Sequence, residues 1–99
     1  MAVVWTERSH DDLVDIFRFI ARDNRKAAER WTARLVEQAE FAATTPFGGR
    51  VVPELGRNDV REVFLRSYRI IYRVAGDDIR ILTVVEGHRR LRLDDIEEE

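Results

Sequence analysis

Two periodicities divide the chain. Through the first half, apolar residues recur every three or four positions. From about residue 50 they recur every second position. Leu13, Ile16, Phe17 and Ile20 fall at i, i+3, i+4 and i+7, one stripe of an amphipathic helix. Ser9 precedes that stripe, with Asp12 three residues on, so Ser9 is the expected N-cap. Asp23-Asn24 breaks the helix and caps a second one over residues 25–43, on which Ala28, Trp31, Leu35, Ala39 and Ala42 share a face. So short a joint predicts an antiparallel helical hairpin with both stripes in the core. Pro46, Gly48 and Gly49 end it. Before the helices, Val3-Val4-Trp5 reads as a short strand. After them, residues 50–52, 60–65, 68–74 and 79–85 read as strands, with a hairpin turn at 75–78.

The order is therefore β-α-α-β-β-β-β, an α+β fold in which the helical hairpin covers one face of a mostly antiparallel sheet. Residues 1–93 form one domain, and residues 94–99 an acidic tail expected to fray. Along the strand at 68–74, Ile70, Tyr72 and Val74 share one face, while Arg69, Ile71 and Arg73 share the other. The second face is expected to be partly open and to gather arginines. If so, Arg69→Ala and Arg89→Ala should leave folding nearly intact.

Composition narrows the chemistry. The 99 residues suit one domain with an ordinary core. Zero cysteines exclude disulfides, thiolate metal sites and cysteine nucleophiles, and fit a reducing compartment. No basic stretch followed by an apolar one opens the sequence, so no secretory signal is expected and the cytoplasm is the expected location. The net charge of −2 is unevenly spread: −1 over residues 1–49, +4 over 50–93 and −5 over 94–99. A chain acidic on balance is not a general nucleic-acid binder, yet its sheet half is basic. One expectation is that the tail folds over that basic half and weakens non-specific nucleic-acid binding.

The inventory leaves few catalytic options. His10 and His88 are the only histidines, and Ser9 and Ser67 the only serines, with no nucleophile elbow or phosphate-binding loop around them. No metal or cofactor site is expected. His10 falls in a first helical turn and reads as solvated. His88 follows Gly87 at a strand end and precedes Arg89 and Arg90. A histidine there has the chemistry of a general acid or base, with arginines to stabilise a phosphorane-like transition state. The same position also suits an ordinary surface residue. Arg61, Arg69 and Arg73 offer guanidinium forks for phosphate or carboxylate, or a solvated face with cross-strand pairs.

Several segments in order carry a resemblance. They are Asp12-Leu13 with Ile16 and Ile20, Ala27-Ala28, Pro46, and Gly49-Arg50-Val51-Val52-Pro53-Glu54-Leu55. Val60-Arg61-Glu62-Val63, Ser67-Tyr68-Arg69-Ile70-Ile71-Tyr72-Arg73-Val74, Ile79 to Val85 and Gly87-His88-Arg89-Arg90 complete the series. Across about residues 5–91 the chain resembles the RelE/ParE superfamily of type II toxin–antitoxin toxins, and its ParE-like branch above all. The resemblance implies a toxin bound and neutralised by a cognate antitoxin. ParE-like members are associated with poisoning DNA gyrase, and RelE-like members are ribosome-dependent endoribonucleases that cut mRNA. By that resemblance Arg69 and Arg89 match active-site arginines of the RelE-like enzymes, with Arg61 and His88 near basic or polar positions. Arg61, Arg69, Arg73, His88, Arg89 and Arg90 are then the target-binding candidates. Two departures favour the gyrase branch. The C-terminal segment Leu91-Arg92-Leu93-Asp94-Asp95 has no aromatic residue, and the sequence pI is about 5.7, whereas ribosome binders are strongly basic. A degenerate toxin kept only as a binding module is a third reading.

Overall fold

The computed structural model describes residues 2–92, 94 and 96. Strand β1 (Ala2–Trp5) leads into helices α1 (Glu7–Ala21) and α2 (Arg25–Ala42), and a single 3-10 turn (Pro46–Gly48) follows. Strands β2 (Arg50–Val51), β3 (Val60–Leu65), β4 (Tyr68–Ala75) and β5 (Asp78–Glu86) follow. The sheet order is β1-β5-β4-β3-β2. Only the β1–β5 pair is parallel; the other three pairs are antiparallel. The α+β architecture is thus the one the periodicities imply. β4–β5 turns at Gly76 (φ +59°), while the tight β3–β4 turn puts Arg66 in the left-handed region (φ 54°), where a side chain is uncommon.

The first helix starts three residues earlier than its spacing suggests. Thr6, not Ser9, is the N-cap, and its hydroxyl accepts from the Ser9 N–H at 3.2 Å. Ser9 is fully buried within the first turn and donates to the Thr6 carbonyl at 2.9 Å. Thr6 serves better because it is the hinge between β1 and α1: its hydroxyl also donates to the Ile81 carbonyl of β5 at 2.8 Å, tying helix to sheet. Asn24 caps α2 as expected, accepting from the Ala27 N–H at 2.9 Å.

The helical hairpin packs on one sheet face. Leu35, Ala39, Ala42, Ile70, Tyr72, Ile79, Ile81 and Val84 form that core, with Leu13 and Ile16 of α1 packed against it. The expected stripes reach less far. Trp31 is half-buried, held between the guanidinium groups of Arg34 (5.5 Å) and Arg66 (5.2 Å). Phe17 is likewise half-buried at the Arg25 guanidinium.

The opposite sheet face is not open. Val52, Val60, Ile71, Leu82, Val85, Leu91 and Ile96 build a second buried cluster there. Ile71 therefore belongs to a core, not to an arginine surface. β5 contributes to both clusters through ordinary strand alternation, and a bulge interrupts it: Ile71 pairs with Thr83 but Tyr72 with Ile81, so Leu82 is the extra residue. The bulge shifts the alternation by one. Ile79, Ile81 and Val84 face the helices, while Leu82 and Val85 face away. Most of the acidic tail, positions 95 and 97–99, falls outside the described residues. Ile96 is 7% exposed and packs with Leu91, so at that position the tail is docked, not frayed.

Candidate functional site

The predicted arginine surface divides into three unlike environments. Residues directly opposite each other on antiparallel strands share a face. Arg61 lies opposite Tyr72, so it faces the helices, away from Arg69 and Arg73. Its guanidinium donates to the carbonyls of Asn58 (2.9 Å), Phe47 (3.1 Å) and Gly49 (3.0 Å) and to Asn58 Oδ1 (2.6 Å). These bonds clamp the 3-10 turn to the loop before β3. Arg73 is half-buried between Val60 and Arg80 on the neighbouring strands. Neither joins Arg69 in one cationic patch.

Arg69 is the largest correction: it is buried, 4% exposed. Its Nε donates to Glu62 Oε1 at 2.8 Å, while Nη1 and Nη2 donate to the two oxygens of Glu54 at 2.8 and 3.0 Å. Nη2 also lies 2.6 Å from Glu62 Oε1. Arg50 caps the far oxygen of Glu62 through its Nε at 2.6 Å, and the Arg50 guanidinium sits 5.3 Å from the Phe64 ring. Two carboxylates and two guanidinium groups thus form one neutral chain across β2, β3, β4 and the loop after β2. Arg69 holds the Glu54 carboxyl far below its ordinary 4.5, at about 2, with the Leu91 N–H adding a further bond. A fork saturated in this way has no donor left for a phosphate. In the sequence Glu54 and Glu62 stand out only as members of the resemblance-carrying segments, with no role of their own; the signal for one is that Glu62, opposite Ile71, shares a sheet face with Arg69.

His88, Arg89 and Arg90 are exposed and sit together where the chain leaves β5. The Arg89 carbonyl lies 3.5 Å from Arg69 Nη1, but the Arg89 side chain points elsewhere, lining two surface depressions. The first, about 370 Å³, has a floor of Ile16, Tyr68 and Val84 and acids Asp12, Asp15 and Glu86. The second, about 690 Å³, is lined by Arg8, Arg89, Arg90, Leu91, Arg92 and Asp94. Arg69 and Arg89, matched to one active site by resemblance, are therefore separated: one is sealed in an ion-pair network and the other is on the surface. Among the described residues no group of three or more His, Asp or Glu side chains is placed to hold a metal ion.

With this geometry in hand, the comparisons are decisive on family. The model of the ParE toxin of the type II toxin–antitoxin system parDE matches residues 3–91. The chain is a member of the ParE toxin family. A chain of the chromosomal ParDE toxin–antitoxin system of P. aeruginosa has a similar fold, with a TM-score of 0.70. It is 24% identical, and the match covers 87% of this chain and 95% of that one. A search of curated proteins returned no match. The match to the ParE family takes in both helices and all of the described strands except Ala2 of β1, and it includes all six arginine and histidine candidates. Among the described residues, no helix of this ParE-family chain is long and apolar enough to cross a membrane.

Proposed function

We propose that this chain is the toxin of a cytoplasmic toxin–antitoxin pair, neutralised by a cognate antitoxin, and that its target is DNA gyrase. The toxin does not act as an enzyme. The observation that carries the reading is the ParE family match over residues 3–91, nearly the whole chain. The burial of Arg69 supports it against mRNA cleavage. A cleaving arginine must reach a phosphorane-like transition state, and Arg69 is 4% exposed with Glu54 and Glu62 on its fork.

Controlled expression without any antitoxin tests the proposal. Growth arrest with an SOS response, and gyrase-dependent DNA cleavage complexes with the purified chain, are the expected results. Ribosome-dependent cuts in mRNA would replace gyrase with the ribosome as target. Normal growth at verified soluble expression would leave only a binding module. Co-expression of the neighbouring small reading frame should restore growth and yield a co-purifying complex.

A further inference from the structure

Strand β5 extends past its parallel neighbour. β1 pairs with it only from Asp78 to Ile81, and among the described residues no strand lies on that side of β5 beyond Ile81. The Val84 N–H donates to Asp12 Oδ2 at 2.9 Å, so residues 84 and 86 turn their backbone groups away from β4. The Glu86 carbonyl accepts from the Arg89 N–H at 3.0 Å. The Val84 carbonyl and the Glu86 N–H are left on an open strand edge. That edge borders the depression of about 370 Å³ floored by Ile16, Tyr68 and Val84. Phe19, which also lines it, is 66% exposed. The lining is acidic on balance, with Asp12, Asp15 and Glu86 against Arg89 alone. Burial, and then the Glu86 charge, hold the Tyr68 hydroxyl above its ordinary value of 10.

We propose that this edge and depression dock an extended segment of a partner protein, one that carries an apolar residue with a lysine or arginine two positions away. An open strand edge is completed by the extended backbone of another chain. Side chains two positions apart on that segment share a face. The floor and the acid fall on one face too: Val84 and Tyr68 pack on the helix side of the sheet, and Glu86, directly opposite Tyr68, faces the same way. An apolar side chain then fills the floor while its basic neighbour meets Glu86 or Asp15. The same acids repel the phosphates of a nucleic acid. The proposal depends on neither gyrase nor an antitoxin, and neither enters its test.

The test is an NMR titration of the isotope-labelled full chain, free of antitoxin, with an end-capped peptide of sequence lysine-threonine-isoleucine-threonine-lysine. Saturable shifts should centre on residues 84–86 and on the Ile16 methyl groups, with slower hydrogen exchange at the Glu86 amide. The same peptide with glutamate for both lysines, or with serine for isoleucine, should bind more weakly. Asp15→Asn/Glu86→Gln, at exposed positions, should weaken binding by at least about threefold, the order expected for two exposed ion pairs. Glu37→Gln/Asp77→Asn, also exposed and away from the depression, removes the same charge and should change little. No saturable shift, shifts centred elsewhere, equal binding of the glutamate peptide, or equal losses in the two variants would each overturn the proposal.

Discussion

Glu62 is a carboxylate with no access to water. Its side chain is 0% exposed, and its stability in the fold depends on Arg69 and Arg50. Removing one partner of a buried pair leaves the other charged and uncompensated, at a cost of about 3–5 kcal/mol. Arg69→Ala is therefore expected to destabilise by that order, measured by urea unfolding, and loss of toxicity in that variant would report unfolding, not a lost contact with the target. Replacing the pair by apolar residues, as in Arg69→Met/Glu62→Leu, should recover much of the loss if packing is kept. Glu54 adds a pH dependence. Its carboxyl titrates at about 2 in the fold against an ordinary 4.5. A depressed value means stability that is present above about pH 4.5 and is lost as pH falls toward 2. Thermal unfolding should then show the gap between the native chain and Glu54→Gln closing over that window; a constant gap would mean Arg69 does not depend on the Glu54 charge. The sequence makes Arg69 visible as a guanidinium on a strand. It does not reveal the acids, because Glu54 lies 15 residues away in a loop whose path is set by tertiary packing.

Elements are joined here by side chains that periodicity treats as solvent-facing. Asp12 reads as a polar position on an amphipathic helix. In the fold its Oδ2 accepts from the Thr83 hydroxyl at 2.5 Å and from the Val84 N–H at 2.9 Å. The need is physical: β1 stops pairing with β5 at Ile81, just before the bulge, and a nearly buried backbone N–H beyond it requires another acceptor. Asp12→Ala should cost about 1–3 kcal/mol by leaving that donor unsatisfied. Amide hydrogen exchange gives the specific readout. Val84 should lose more protection than Ile70, its partner on β4, whereas uniform loss along both strands would make Asp12 a general packing residue. Strand and helix positions were legible because each period is local. The bulge at Leu82 was not, since nothing in the alternation Ile79-Arg80-Ile81-Leu82-Thr83-Val84-Val85 says where one residue is extra.

At the scale of the molecule, charge and core meet in the C-terminal segment. The last six residues carry a net −5 and follow closely on Arg89, Arg90 and Arg92 in the basic sheet half. Truncating them looks like the natural way to ask whether they screen those arginines. The second core makes that experiment ambiguous. Ile96 is 7% exposed among Leu91, Ile71 and Leu82, and its loss removes roughly 1.5–3 kcal/mol of apolar burial. A single isoleucine among acids carries no periodicity, which is why its burial could not be read from the sequence. Charge and packing separate cleanly in Glu97→Gln/Glu98→Gln/Glu99→Gln, which keeps Ile96 and removes three charges. This variant should hold its urea midpoint close to that of the native chain, because it keeps the buried Ile96 side chain. Its affinity for duplex DNA should rise at 50 mM salt, and the difference should narrow as added salt shortens the screening length to about 10 Å at 0.1 M and below. Unchanged affinity at low salt would mean that the tail charges do not act on the arginines, and deletion of residues 94–99 would then affect DNA binding only through stability.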